Sequence, residues 1–138
     1  MSDTQKNFYK KLLGGVGEKQ ALKHLKAKRY KILEKNFSCS FGEIDLIALD
    51  KDCYVFVEVK TRSDVRYGEP MEAVNATKQR HIIMSAKYYL QKKGIDENSV
   101  KIRFDVIEVK NDNGNLTINH LENAFISGTQ AYVFKNGF

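Results

Sequence analysis

The chain has 138 residues, of which 42% are hydrophobic, and this predicts one globular domain spanning residues 1–138. Lys and Arg number 23 against 17 Asp and Glu, so the formal net charge of +6 favours a polyanionic partner. We expect a cytoplasmic protein with no membrane partner, because no run approaches the roughly 20 apolar residues that span a bilayer and the N-terminus lacks a signal-peptide core.

The first predicted element is an amphipathic helix over residues 16–28, preceded by a segment, residues 1–10, that we expect to be flexible. Apolar residues follow Glu18 at helical spacing and place it on the inward face: Ala21, Leu22 and Leu25. An acid at such a position is unusual, because Glu is rarely buried without a partner. Two interpretations remain open for Glu18: a carboxylate favoured by the helix macrodipole, or a third acid for the metal site that the following hairpin predicts.

Three strands are predicted after this helix. The segment 30–37 is typical of a strand at the sheet edge, and the link that ends at Gly42 suits a hairpin connection. The runs 43–50 and 54–60 are rich in β-branched and aromatic residues. They predict a second hairpin around a two-residue turn, Lys51-Asp52.

Two carboxylates are predicted on one face of this second hairpin. Counting back from the turn places Asp45 opposite Glu58, and Glu43 opposite Lys60. Two partly buried acids do not both ionise at neutral pH without a compensating cation. Mg²⁺ prefers carboxylate oxygens and keeps waters for a substrate phosphate, so the pattern favours metal-assisted phosphodiester hydrolysis. The alternative is a surface hairpin with an ordinary Glu-Lys neighbour pair.

The aperiodic segment 61–69 is predicted to be an exposed loop at the mouth of this site. Its side chains Arg62, Arg66 and Tyr67 are candidates to bind phosphate and to stack on a base or sugar. The alternative for all three is a solvated loop with incidental charge.

A long helix is predicted over residues 77–93, with Thr77 as the N-cap and Gly94 as the terminating residue. Its buried stripe contains four apolar residues at helical spacing: Ile82, Ile83, Ala86 and Leu90. Lys78 and Gln79 are expected to face the catalytic hairpin from the helix N-terminus, where phosphate binding is favoured. For Lys78 a solvated position is the alternative.

The last third of the chain predicts strands over residues 100–109 and 116–121, joined by a turn at 112–114. Arg103 and Asp105 share one strand face and are expected to form a structural pair. The remaining chemistry-bearing residues, His24, His120, Cys39 and Cys53, are interpreted as isolated, with both thiols reduced. Residues 126–138 form an uncertain aromatic tail that either covers the sheet edge or meets a second subunit.

The order of Glu18, Asp45 and Glu58-Val59-Lys60 resembles the PD-(D/E)xK nuclease superfamily. Within it, the chain is more closely similar to the YraN family, whose members are similar to archaeal Holliday-junction resolvases. The matching segments cover most of the chain, from residue 8 to residue 126, and include Gly17-Glu18, Gly42-Glu-Ile-Asp-Leu-Ile-Ala48, Val55-Phe-Val-Glu-Val-Lys60 and Arg103-Phe-Asp-Val-Ile107. One position departs from the superfamily pattern, because Ile44 stands where the named proline precedes the aspartate.

The resemblance implies a role for each matched residue. Glu18 corresponds to the first-helix acid, Asp45 to the metal-bridging aspartate and Glu58 to the second metal ligand. Lys60 corresponds to the lysine that positions the attacking water, and the main-chain carbonyl of Val59 to a further metal ligand. The implied cofactor is Mg²⁺, with Mn²⁺ as a substitute and no small-molecule cofactor. The implied partner is DNA, including branched or junction DNA, and the implied assembly is a homodimer.

The predicted fold class is α/β. The element order αβββαββ predicts a restriction-endonuclease-like core with a mixed central sheet flanked by helices. Two alternatives to the nuclease remain open: a non-catalytic nucleic-acid-binding module that retains the nuclease fold, and a structural interaction protein unrelated to nucleic acid.

Overall fold

The computed structural model describes residues 3–62 and 74–125 as one five-stranded sheet with two helices. The elements in chain order are α1 (Asp3–Ala27), β1 (Lys31–Cys39), β2 (Gly42–Asp50), β3 (Cys53–Arg62), α2 (Ala76–Lys92), a short 3₁₀ turn (Glu97–Ser99), β4 (Lys101–Asp112) and β5 (Asn115–Phe125). The strands lie in the order β1-β2-β3-β4-β5. Only β3 and β4 pair in parallel, and the other neighbouring strands are antiparallel. The predicted αβββαββ core with a mixed sheet is confirmed.

The two faces of the sheet bury separate cores under different helices. The core under α1 contains Ala21, Leu25, Leu46, Val57 and Ile107. The core under α2 contains Ile47, Phe56, Ile82, Leu90 and Phe104. Because both faces are covered, alternate residues of the central strands enter opposite cores, which is why these strands read as continuous apolar runs.

The first helix is longer than its hydrophobic pattern predicts. It begins at Asp3 and so includes residues 3–10, whereas periodicity alone places its start near residue 16. Gly14 and Gly15 interrupt the pattern, and each lowers helix propensity by about 1 kcal/mol relative to Ala. Propensity is a weak prior, so two glycines do not end a helix.

The other element boundaries follow the predictions with small shifts. Strand β3 continues through Arg62, so the expected loop does not begin at Thr61. Helix α2 is capped by Asn75 rather than Thr77, because the Asn75 Oδ1 atom accepts a hydrogen bond of 2.8 Å from the Lys78 N–H. Gly94 has a φ of +71°, as expected of a helix-terminating residue.

The predicted aromatic tail, residues 126–138, lies outside the described residues. Cys39 and Cys53 are free thiols, as expected. Within residues 3–62 and 74–125, neither helix combines the length and the apolar character needed to cross a membrane.

A buried polar network joins α1, β4 and β5 at the end of the sheet where β2 turns into β3. Asp105 is fully buried and accepts two hydrogen bonds of 2.9 Å from the Arg103 guanidinium, which confirms the expected structural pair. The His120 Nε2 atom lies 2.8 Å from Asp105, and the His120 Nδ1 atom lies 3.0 Å from His24. The interpretation of both histidines as isolated is therefore wrong, because the packing of α1 over β5 brings together residues 96 positions apart.

Candidate active site

Strands β2 and β3 separate partway along their length. Their pairing runs from Asp50 opposite Cys53 to Leu46 opposite Val57. Beyond that point residues 42–44 pair with β1, and residues 58–62 pair with β4. The opening between the two strands is bounded by Asp45 on one side and residues 58–60 on the other, and we call it the fork.

The predicted hairpin register is confirmed as far as Leu46 and Val57 and is wrong beyond them. Asp45 does not lie opposite Glu58 in the strand pairing, and Glu43 does not lie opposite Lys60. The Asp45 Oδ2 atom instead accepts a 2.7 Å hydrogen bond from the Val59 N–H. A side-chain oxygen has therefore replaced the main-chain partner, which lets the strands separate.

The carboxyl groups of Asp45 and Glu58 lie close together within the fork, where Glu58 is buried and Asp45 is partly buried. Burial, followed by the nearby Asp45 carboxylate, raises the pKa of Glu58 to about 7. Burial also raises the pKa of Asp45, although the hydrogen bond from the Val59 N–H and the positive charge of Lys78 oppose that rise. The metal-free fork therefore favours the neutral form of these acids, and Glu58 loses its proton only near neutral pH.

Two lysines supply positive charge beside this acid pair. The Lys78 Nζ atom lies 3.8 Å from the Glu58 Oε2 atom, so Lys78 faces the hairpin as predicted. Lys60 lies two residues beyond Glu58 on β3, and its charge lowers the pKa of Glu58. The Gln79 Nε2 atom donates a 2.7 Å hydrogen bond to the Val74 carbonyl, so this amide nitrogen holds the start of α2. Among the residues that the structure describes, Lys60 and Lys78 are therefore the cations that act on Glu58.

Arg62 makes an ion pair that the sequence does not signal. Its Nε atom lies 3.0 Å from the Glu108 Oε2 atom, and the Lys110 Nζ atom lies 3.5 Å from Oε1. Glu108 is only 1% exposed. These distances are those of ion pairs, yet neither Glu108 oxygen has a well-directed hydrogen bond from the described residues. The candidates Arg66 and Tyr67 lie outside the described residues.

Glu18 approaches the fork from α1, on the inward face that the helical spacing predicts. In the orientation that turns its amide nitrogen toward Glu18, Asn36 donates to both carboxylate oxygens at 3.2 and 3.3 Å. Burial and the nearby Asp45 carboxylate raise the pKa of Glu18. Asn36 has a φ of +53°. It would be the partner of Asp45 in the β1–β2 register, but this pair is missing between the Lys35–Leu46 and Phe37–Ile44 pairs. The sequence signals this irregularity by placing an Asn within a segment that otherwise predicts a strand.

Gly17 lets α1 approach β3 closely beside Glu18. A Cβ atom at Gly17 would overlap the Thr61 Oγ1 atom. We expect Gly17→Ala to lower the free energy of unfolding by about 1 to 2 kcal/mol, because overpacking costs more than the gain in helix propensity. Urea unfolding measures the change.

Gly15→Ala is the matched control for Gly17→Ala. A Cβ atom at Gly15 has open space around it, so this substitution should stabilise the helix by about 0.5 to 1 kcal/mol. Equal stabilisation by both substitutions would contradict the close packing at Gly17.

The oxygen atoms around the fork fit a two-carboxylate magnesium site. The described residues contain no group of three or more His, Cys, Asp or Glu side chains that could hold a metal ion. Asp45 and Glu58 nevertheless meet in the fork, and Mg²⁺ commonly binds one or two carboxylates and retains several waters. The Val59 N–H points at Asp45, and a strand residue directs its N–H and C=O to the same side. The Val59 carbonyl is therefore a third oxygen directed at the fork, whereas Glu18 is engaged by Asn36.

The chain is similar to members of one sequence family along most of its length. The model described as "Uncharacterised protein family UPF0102" matches residues 17–109. A UPF0102 protein of Caldanaerobacter subterraneus is 50% identical over 123 residues, covering 87% of this chain and 99% of the relative. A UPF0102 protein of Alkaliphilus oremlandii is 48% identical, covering 83% and 98% of the two chains. The names of these relatives state no activity.

Proposed function

We propose that this protein, which belongs to the UPF0102 (YraN-type) family, is a metal-dependent endonuclease that hydrolyses DNA phosphodiesters. The observation that carries the proposal is the meeting of two carboxyl groups in the fork: Glu58 is buried beside Lys78, and Asp45 accepts a hydrogen bond from the neighbouring Val59 N–H. A buried acid pair with a raised pKa is unfavourable for folding alone and is typical of functional sites. The arrangement matches the PD-(D/E)xK pattern, so the superfamily assignment is part of the proposal.

Each residue of the fork has a chemical role in this proposal. Asp45, Glu58 and the Val59 carbonyl would hold Mg²⁺, or Mn²⁺ as its substitute, through oxygen atoms. When bound there, the ion would supply positive charge to offset the charge that develops on the phosphoryl oxygens. The Lys60 ammonium donates a hydrogen bond to the attacking water and orients it.

Other residues around the fork have supporting roles. Lys78 balances the charge of Glu58 and is placed to contact a phosphate oxygen. Glu18 closes the side of the fork that α1 covers.

The test is cleavage of a panel of linear, nicked, flapped and four-way-junction DNAs in Mg²⁺ or Mn²⁺. We expect wild-type cleavage of at least one DNA, loss of cleavage in EDTA, and loss in Asp45→Ala and in Lys60→Ala. Activity that survives both substitutions would arise from a contaminant or another site. A junction preference would also agree with the homodimer that the resemblance implies, because paired cuts need two sites.

A non-catalytic nucleic-acid-binding module is the second candidate function. The formal net charge of +6 favours it, because Lys and Arg side chains bind phosphates without a metal ion. Such a module would bind DNA without Mg²⁺, and Glu58→Ala would not change its DNA affinity. Calorimetry with Mg²⁺, run beside a DNA-binding assay, separates the two candidates.

A further inference from the structure

One side of α1 carries three exposed lysines at helical spacing: Lys19, Lys23 and Lys26. On the neighbouring edge strand, Lys35 is also exposed and pairs with Leu46, a residue of the core under α1. Antiparallel partners share a face, so Lys35 lies on the α1 side of the sheet. We call these four residues the basic flank.

The contacts of α1 fix the direction in which this flank faces. Glu18 contacts Asn36 of β1, whereas His24 and Lys28 contact β5 on the opposite side of the helix. On a helical projection the three lysines lie beyond Glu18 and Leu22, away from His24 and Lys28. The three lysines therefore lie on the solvent-facing side of α1, turned toward β1 rather than β5, and Lys19 directly follows Glu18 in the chain.

The basic flank is shaped and charged to receive an anion. A surface hollow of about 280 Å³ is lined, among the described residues, by Lys19, Gln20, Leu22, Lys23 and Lys26. Among the side chains described, those of residues 15–62 and 74–125, no carboxylate forms an ion pair with the flank's four amines. By contrast, Lys28 and Lys101 pair with acids at 3.2 and 3.3 Å. Like charges one turn apart destabilise a helix, so this grouping is not explained by the stability of α1.

We propose that the basic flank binds the sugar-phosphate backbone of duplex DNA beside the phosphodiester that enters the fork. This inference rests on the proposed nuclease function. Lys19 to Lys26 spans about 10 Å of helix, the axial length over which one strand of B-DNA carries about three phosphates. A duplex lying along the flank continues past Glu18 to the acid pair. The flank thus selects DNA with a double-helical arm on the β1 side of the cleaved bond.

The test compares two triple variants of the full chain that each lose three positive charges. The flank variant is Lys19→Gln/Lys23→Gln/Lys26→Gln, and the control is Lys87→Gln/Lys92→Gln/Lys101→Gln, at exposed positions elsewhere. Gln has nearly the helix propensity of Lys, so the flank variant should keep the fold, which circular dichroism checks. Binding of a fluorescent duplex is measured by anisotropy in EDTA, without cleavage, at several salt concentrations.

We expect the flank variant to bind at least about tenfold more weakly than wild type at moderate salt. Its slope of log affinity against log salt should fall by about 2 to 3, since each lost phosphate contact removes about 0.9. Adding Lys35→Gln should lower the slope by about one more. The control variant should keep most of the wild-type slope, because it loses the same net charge without losing a contact with the duplex.

Three outcomes would overturn the inference without deciding the nuclease proposal, which the cleavage panel tests separately. If wild type and the flank variant bind duplex with the same slope, the flank is not the contact surface. If wild type does not bind duplex at all, the flank has no duplex to contact and the inference fails. Equal weakening in the flank and control variants would show that only net charge matters, and would also reject the flank.

Discussion

Replacing Glu58 by Gln should abolish Mg²⁺ binding and lower DNA cleavage by on the order of 10³-fold or more. Gln keeps the size of the side chain but removes one of the two carboxylates in the fork. Calorimetry with Mg²⁺ and single-turnover cleavage measure the two losses. Glu43→Gln is the matched control, because Glu43 is exposed and its carboxylate accepts a hydrogen bond from Ser38 at 3.1 Å. A Glu58→Gln protein that still cleaves DNA would contradict the site.

The same substitution should stabilise the metal-free fold at neutral and alkaline pH. The pKa of Glu58 rises from 4.5 to about 7 on folding, so the folded protein holds this proton more tightly than the unfolded chain. The free energy of unfolding therefore falls as pH rises from 4.5 to 7, by roughly 3 kcal/mol in total. Glu58→Gln should remove that decrease, as measured by urea unfolding in EDTA.

Saturating Mg²⁺ should oppose this loss of stability in wild type. The ion binds only deprotonated carboxylates, so its binding energy adds to folding at high pH. At a concentration about 100 times its Kd the gain is about 2.7 kcal/mol. No gain is expected for Glu58→Gln, and an equal gain in both proteins would place the ion elsewhere.

Replacing Asp105 by Asn should lower the free energy of unfolding by about 3 to 5 kcal/mol. The carboxylate is fully buried and accepts hydrogen bonds from Arg103 and from the Asn123 N–H, besides its contact with His120. The substitution leaves the Arg103 charge, itself 14% exposed, without this partner. Urea unfolding measures the loss.

Asp50→Asn is the control for Asp105→Asn. Asp50 also forms an ion pair with Arg103, at 3.1 Å, but it is 30% exposed. Its substitution should therefore lower the free energy of unfolding by at most about 1 kcal/mol. Similar losses in the two variants would contradict a special role for the buried carboxylate.

The stabilisation by Asp105 should disappear only in strong acid. Burial alone would raise its pKa, but hydrogen bonds from His120 and Arg103 outweigh this effect and hold the pKa below 3.8. The contribution is therefore fully present above the unfolded pKa and is lost as pH falls through the lower folded value. Wild type and Asp105→Asn should thus converge in stability at low pH.

The sequence by itself determined the order of the elements, their types and most of the β2–β3 register. These follow from local chemistry: strand periodicity, turn residues and helix caps act over a few positions. Asn113 and Gly114, with φ of +53° and +89°, adopt the turn that their residue types predict. The proximity of Asp45 and Glu58 was predictable for the same reason, because a two-residue turn aligns the strands that carry them.

The tertiary structure alone decided how the strands separate and which distant side chains meet. Counting along a hairpin assumes continuous pairing, whereas the Val59 N–H bonds to Asp45 and ends it. The Glu108–Arg62 ion pair depends on parallel pairing of β3 with β4, and the His24–His120 contact on α1 lying over β5. These contacts join residues far apart in sequence, and local periodicity carries no information about which strands become neighbours.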